Sequence, residues 1–133
     1  MMRWAVGAGL LLLSSIPAWA WQSSLPGCES GAVIGRIVAR STWADRHTWH
    51  TGVMVGGVSR IRETALRDMG PSHIARRYCS GVARLANGRT SELVYVIEAG
   101  QGFASIGWNV EFCLPPYDPY RVYDAWCEAI RPQ

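Results

Sequence analysis

The chain of 133 residues contains no lysine, and all 13 of its basic side chains are arginine. That uniformity does not by itself argue for bidentate anion recognition, since codon usage alone can produce it. Charge of either sign is scarce, at 17% of residues, and the formal net charge is +3. So mild a balance gives no argument for nucleic acid as a partner. Catalytic signatures are missing as well. There is no Gly-x-Ser-x-Gly elbow and no phosphate-binding glycine loop opening a helix. No two cysteines lie closer than Cys113 and Cys127, which argues against zinc held by all four. Internal repeats and low-complexity stretches are also absent.

Long apolar runs are missing everywhere except at the N-terminus. Arg3 gives a short positive start, Trp4 to Ile16 is apolar or small, Pro17 breaks it, and Ala18-Trp19-Ala20 supplies a cleavage site. This is the order of a secretory leader, and the run falls short of the roughly 20 residues a membrane span needs. A leader at 1–20 and a single exported domain at 21–133, periplasmic or secreted, are therefore expected, with no transmembrane helix in the mature chain. Leu25-Pro26-Gly27-Cys28 loosely matches a lipoprotein cleavage box. Polar Gln22-Ser23-Ser24 separates it from the apolar run, and lipidation would leave an odd number of cysteines.

An exported domain of this size has room for only a modest core, so disulfides matter. Cys28, Cys79, Cys113 and Cys127 read as two bridges, each contributing about 2–4 kcal/mol.

The hydrophobic pattern predicts an α+β fold: a small antiparallel meander of about three to five strands, packed with two or three helices. Ala32 to Ala39, rich in valine and isoleucine, fits a strand or a short helix. Ser41 to His50 reads as a polar and aromatic loop, and Thr51 to Gly56 as a short strand stopped by Gly56-Gly57. Val58, Ile61, Ala65, Leu66 and Met69 fall on one helical stripe with Gly70-Pro71 behind them, so a helix is expected there. From Arg77 the period becomes two. Asn87-Gly88 then marks a hairpin between Tyr78–Leu85 and Thr90–Glu98. A two-residue loop would set Val82 opposite Leu93 and Tyr78 opposite Ile97. Trp108 to Leu114 alternates as a further strand, and Asp118-Pro119 opens a last helix with Tyr123, Trp126, Cys127 and Ile130 inward.

In such a meander Cys79 and Cys113 sit two strands apart, about 9–10 Å, too far for a bridge. The favoured pairing is Cys113–Cys127 with Cys28–Cys79. The crossed pairing, Cys28–Cys113 with Cys79–Cys127, stays open.

Chemistry-bearing side chains concentrate in two places. Asp45, His47 and His50 offer a carboxylate and two imidazoles to a divalent metal. No single regular conformation presents all three, and an aromatic surface loop is the plainer reading. The glycine-rich stretch Glu98 to Asn109 can bring backbone close to a ligand. Ser105 with His73 or His50 makes a nominal hydrolase set, as any small chain would. Arg60, Arg62 and Arg67 with Arg76-Arg77 form loose basic clusters. The expectation drawn from these residues is a non-enzymatic exported protein that binds an envelope protein or an anionic envelope polymer. Its contact surface would be Trp43, Trp49, Gln101 and Phe103; no catalytic residue and no obligatory cofactor are assigned. The alternative is a small metal-dependent or hydrolytic enzyme using Asp45, His47 and His50.

Overall fold

The computed structural model describes residues 25–68, 74–100 and 107–133. The expected leader lies outside them, as do His73, Gln101, Phe103 and Ser105. The fold is α+β. One long α-helix, α1 (Gly31–Ala44), precedes four strands: β1 (Val55–Arg67), β2 (Arg76–Leu85), β3 (Thr90–Ala99) and β4 (Trp108–Cys113). They form one antiparallel sheet in sequence order, β1-β2-β3-β4. Among the described residues no helix is long and apolar enough to cross a membrane.

The segment with two readings is a helix. Val33, Ile37 and Ser41 recur every fourth residue and are buried, with Ile34 and Val38 half-buried beside them. β-Branched residues are middling helix formers, so packing against the sheet rather than propensity settles the state. The helix continues through Ser41 to Ala44 and widens into one π-helical turn, Asp45–Trp49, where a loop is expected. His50 then stops it in the left-handed region, with φ 52°.

Where a helix is expected, residues 58–67 are instead the C-terminal part of β1, Met69 lies outside the described residues, and Gly56-Gly57 lies within the strand rather than ending it. The mismatch has a mechanical cause. Pairing of β1 with β2 slips at three places, between Val55 and Gly57, Ser59 and Arg62, and Glu63 and Ala65. Each irregularity shifts the alternation of a strand. The half-buried Val58, Ile61 and Ala65 therefore fall three and four residues apart, mimicking a helical stripe. Arg60, at φ 50°, sits in the middle slip. Gly81 of β2 is required opposite: a Cβ there would lie 2.8 Å from Val58 Cγ1 and 3.1 Å from the Ser59 carbonyl oxygen.

The hairpin forms where Asn87-Gly88 places it, but its loop has three residues rather than two. Leu85 N donates to Arg89 O at 2.8 Å, Gly88 N to Leu85 O at 3.0 Å, and Gly88 takes φ 84°. This turn-plus-glycine arrangement moves the register by one, so Gly81 faces Leu93 and Tyr78 faces Val96. A one-residue slip turns every β2 side chain to the other face. Cys79 thus joins Leu93, Tyr95 and Ile97 in the main core under α1, while Tyr78 joins Val94 and Val96 on the reverse.

That reverse face is covered by the C-terminal segment, which is not the expected helix. After a 3-10 turn at Pro115–Tyr117 and through a second, kinked 3-10 segment at Ala125–Ile130, the chain reverses repeatedly, with Arg121, Asp124, Trp126 and Cys127 all at φ between 50° and 61°. Left-handed residues break a right-handed helix and cost of order 1 kcal/mol each. What holds them is the tether at Cys127, together with burial of Cys127 and Ile130 against Val94 and Val96. Both favoured disulfides are present, Cys28–Cys79 and Cys113–Cys127, with Cα atoms 5.8 and 6.0 Å apart. They lie on opposite faces of the sheet: one ties the N-terminal lead into the main core, the other straps the tail to the reverse face.

Candidate functional site

An open cleft of about 530 Å³ lies between the end of α1 and the C-terminal strap. Trp43, Thr48, Trp49 and Thr51 form its helix-side wall, Phe112 and Leu114 its floor, and Tyr117, Asp118, Tyr120 and Tyr123 the strap side. Five large hydrophobic side chains are exposed among the described residues, and four of them line this cleft: Trp43, Trp49, Tyr120 and Val122. The fifth, Trp126, lies outside it. Trp49 and Tyr120 meet across the mouth, ring centroids 5.0 Å apart and planes tilted by 30°.

The helix-side wall is built by Asp45. Its buried carboxylate accepts hydrogen bonds from Thr51 Oγ1 (2.7 Å), Thr51 N (2.8 Å) and Gly52 N (3.1–3.2 Å). The Thr51 hydroxyl and backbone hold its pKa below the ordinary carboxylate value, with Gly52 and nearby His50 adding to the effect against a smaller opposing push from burial. A further hydrogen bond, Val55 N to Ser41 Oγ at 2.9 Å, fixes the exit into β1. His47 stacks on Trp43 at 4.6 Å, and its Nδ1 lies 2.8 Å from Trp43 O. His47 therefore steadies an exposed tryptophan, while the His50 side chain is exposed.

Among the described residues no group of three histidine, cysteine or acidic side chains is arranged to hold a metal ion. Asp45, His47 and His50 occupy one turn, but the carboxylate is spent on the backbone that follows. A depressed carboxylate stabilises the fold above its unfolded pKa, and that contribution is lost as pH falls through the folded value. Asp45→Asn is therefore expected to flatten the acid limb of the stability-versus-pH curve. Asp45→Ala should cost about 1–3 kcal/mol at neutral pH by leaving Thr51 and Gly52 donors unpaired. Urea unfolding of both variants between pH 3 and 7, on the order of the carboxylate range, reads this out. An acid limb identical to wild type would sink it.

The strap side is held by a polar cluster on β4. Tyr123 hydroxyl donates to Glu111, which also accepts from Asn109 Nδ2 at 3.0 Å and faces Arg40 at 3.6 Å. Burial and the neighbouring Glu111 push the Tyr123 phenol well above its ordinary pKa, so it stays protonated. Arg40 is bound further: it donates to Val110 O and lies over the Phe112 ring at 5.9 Å. One helical turn earlier, Arg36 donates to Trp108 O at 2.8 Å and stacks 4.0 Å over the Trp108 ring. Four helical residues advance about 6 Å and two strand residues about 6.6 Å, so arginines at this spacing meet alternate carbonyls of edge strand β4.

Of the expected contact residues, Trp43 and Trp49 stand in the cleft walls, while Gln101 and Phe103 lie outside the described residues. The strap tyrosines and Phe112 carry no pattern that separates them from core residues in the sequence. The arginines at 60, 62 and 67 are exposed on β1, away from the cleft, with Glu63 paired to Arg77 among them. No family model matches the chain, and no curated protein or solved structure is similar enough to match it.

Proposed function

We propose that this chain is an exported, non-enzymatic binding protein whose partner seats in the cleft between α1 and the C-terminal strap. The observation that carries the reading is the gathering of four exposed large hydrophobic side chains around one concavity. Concave apolar sites with a few convergent polar groups are where ligands bind, and tryptophan and tyrosine dominate binding energy where they occur. Strained, left-handed residues border the same site at His50, Arg121 and Asp124, in keeping with a shape maintained for use. Two disulfides are compatible with an oxidising compartment and, with the leader-like N-terminus, support export. A metal-dependent enzyme built on Asp45, His47 and His50 has less support, because the Asp45 oxygens serve the adjoining turn.

Native mass spectrometry of protein purified from the cell envelope without reductant or chelator tests the reading. The denatured mass should correspond to residues 21–133 with four cysteines oxidised. The native mass should include a non-covalent adduct that the Trp43→Ala/Trp49→Ala variant loses. An adduct that survives this double substitution, or a bare chain under native conditions, would count against the cleft as the binding site.

A further inference from the structure

We propose that the cleft receives a basic side chain of a partner polypeptide, an arginine or lysine inserted between its aromatic rings and Asp118. This deepens the binding reading and rests on it. The warrant is the charge left over once the pairings among the described residues are counted. Two fully charged side chains line the cleft, Arg40 and Asp118. Arg40 is already neutralised: it faces Glu111 at 3.6 Å and donates to Val110 O. Asp118 is not. Its Oδ1 accepts from Val122 N at 3.2 Å, and no salt bridge reaches it among the described residues. Its Oδ2 lies 3.7 Å from Cys113 Sγ, but that sulfur is in a disulfide and has no hydrogen to donate.

Among the described residues one carboxylate oxygen thus stands without a donor in a concavity lined by Trp49, Tyr117, Tyr120 and Phe112. The faces of such rings carry negative charge and attract cations, tryptophan most strongly. An anionic group placed there would meet the carboxylate and the ring faces together, both repulsive. A neutral apolar group would bury the Asp118 oxygen without a partner. A guanidinium or ammonium satisfies both. The overall charge of +3 does not oppose this at close range, because exposed charges beyond about 10 Å are largely screened at ordinary salt.

The test compares a glycine-flanked arginine peptide with its citrulline counterpart, which has the same shape and no charge. Binding is followed by calorimetry and by the indole N–H signals of Trp43 and Trp49 in the oxidised protein. The arginine peptide should bind about tenfold more tightly, a preference between that of an exposed and that of a fully desolvated cation–π contact. Asp118→Asn, which keeps an acceptor for Val122 N, should erase most of that preference. Tyr120→Leu, at a ring 70% exposed and so of little use to the core, should reduce it. Equal affinity for both peptides would overturn the cationic assignment while leaving the cleft a binding site. Binding of neither peptide would also overturn it. A tryptophan-dependent adduct in native mass spectrometry would then keep the broader reading, and its absence would remove both.

Discussion

Replacing each disulfide by serines is expected to separate stability from site integrity. In the chain-entropy account the stabilisation grows with the loop closed. Cys28–Cys79 closes 51 residues and Cys113–Cys127 only 14, so their removal should cost about 4 and about 3 kcal/mol respectively. The functional ordering runs the other way. Cys28→Ser/Cys79→Ser loosens the N-terminal lead, and neither cysteine lines the cleft. Cys113→Ser/Cys127→Ser frees a strap whose left-handed residues at 121, 124, 126 and 127 favour relaxation once the tether is gone. Urea unfolding reads the first effect and hydrogen exchange at residues 118–127 the second. If the 113–127 variant kept its protection there, burial of Ile130 and the Tyr123 hydrogen bond would be enough to hold the strap, and the tether's assigned role would fall.

Removing both Arg36 and Arg40 is expected to convert a guarded sheet edge into an adhesive one. Unpaired carbonyls on an edge strand are templates for another strand, and folded proteins cover or charge them. Here two guanidinium groups occupy the outward carbonyls of Trp108 and Val110 and lie over the Trp108 and Phe112 rings. The loss in stability should be modest, about 1–2 kcal/mol for the pair, since both arginines are largely solvated. The larger effect is on association: light scattering should show Arg36→Ala/Arg40→Ala forming dimers and larger species at concentrations where wild type does not. Arg36→Lys/Arg40→Lys should lie between, since an ammonium can donate to a carbonyl but has no plane to stack. Unchanged mass across a wide concentration range would show that the helix itself, not its arginines, shields the edge.

What the sequence makes legible follows from how local each signal is. Asn87-Gly88 marks the hairpin because a positive φ there is a demand on single residues, and alternation from Trp108 marks β4. Strand spacing excludes Cys79–Cys113, while the choice between the favoured and the crossed pairing is made only by the fold. The fine register of the hairpin is not legible, since two- and three-residue loops share the Asn-Gly signal, and the one-residue difference carries Cys79 to the opposite face. β1 deceives because its slips are invisible without its partner: the bulges that let it follow β2 shift its apolar residues to helical spacing. The C-terminal strap deceives for a related reason, since Asp118-Pro119 is a sound helix start until a disulfide and repeated reversals override it. Of the cleft, Trp43 and Trp49 stand out in the sequence by their crowding. Tyr117, Tyr120 and Tyr123 do not, because their wall exists only once the strap has folded back along β4.

The burial of β3 on both faces also bears on how the chain must be made. Leu93-Val94-Tyr95-Val96-Ile97 is five consecutive buried residues without a charge, the composition that stacks into intermolecular sheets when left uncovered. Glu92 and Glu98 flank it, charges placed where they discourage such stacking. One face of the segment is closed by α1, which is synthesised before it. The other is closed by Cys127 and Ile130, which emerge about 30 residues after it. Until the tail is delivered and oxidised, half of this segment stays open to neighbouring chains. Losses during production should therefore respond to the supply of oxidant and to truncation at the C-terminus more than to changes in α1.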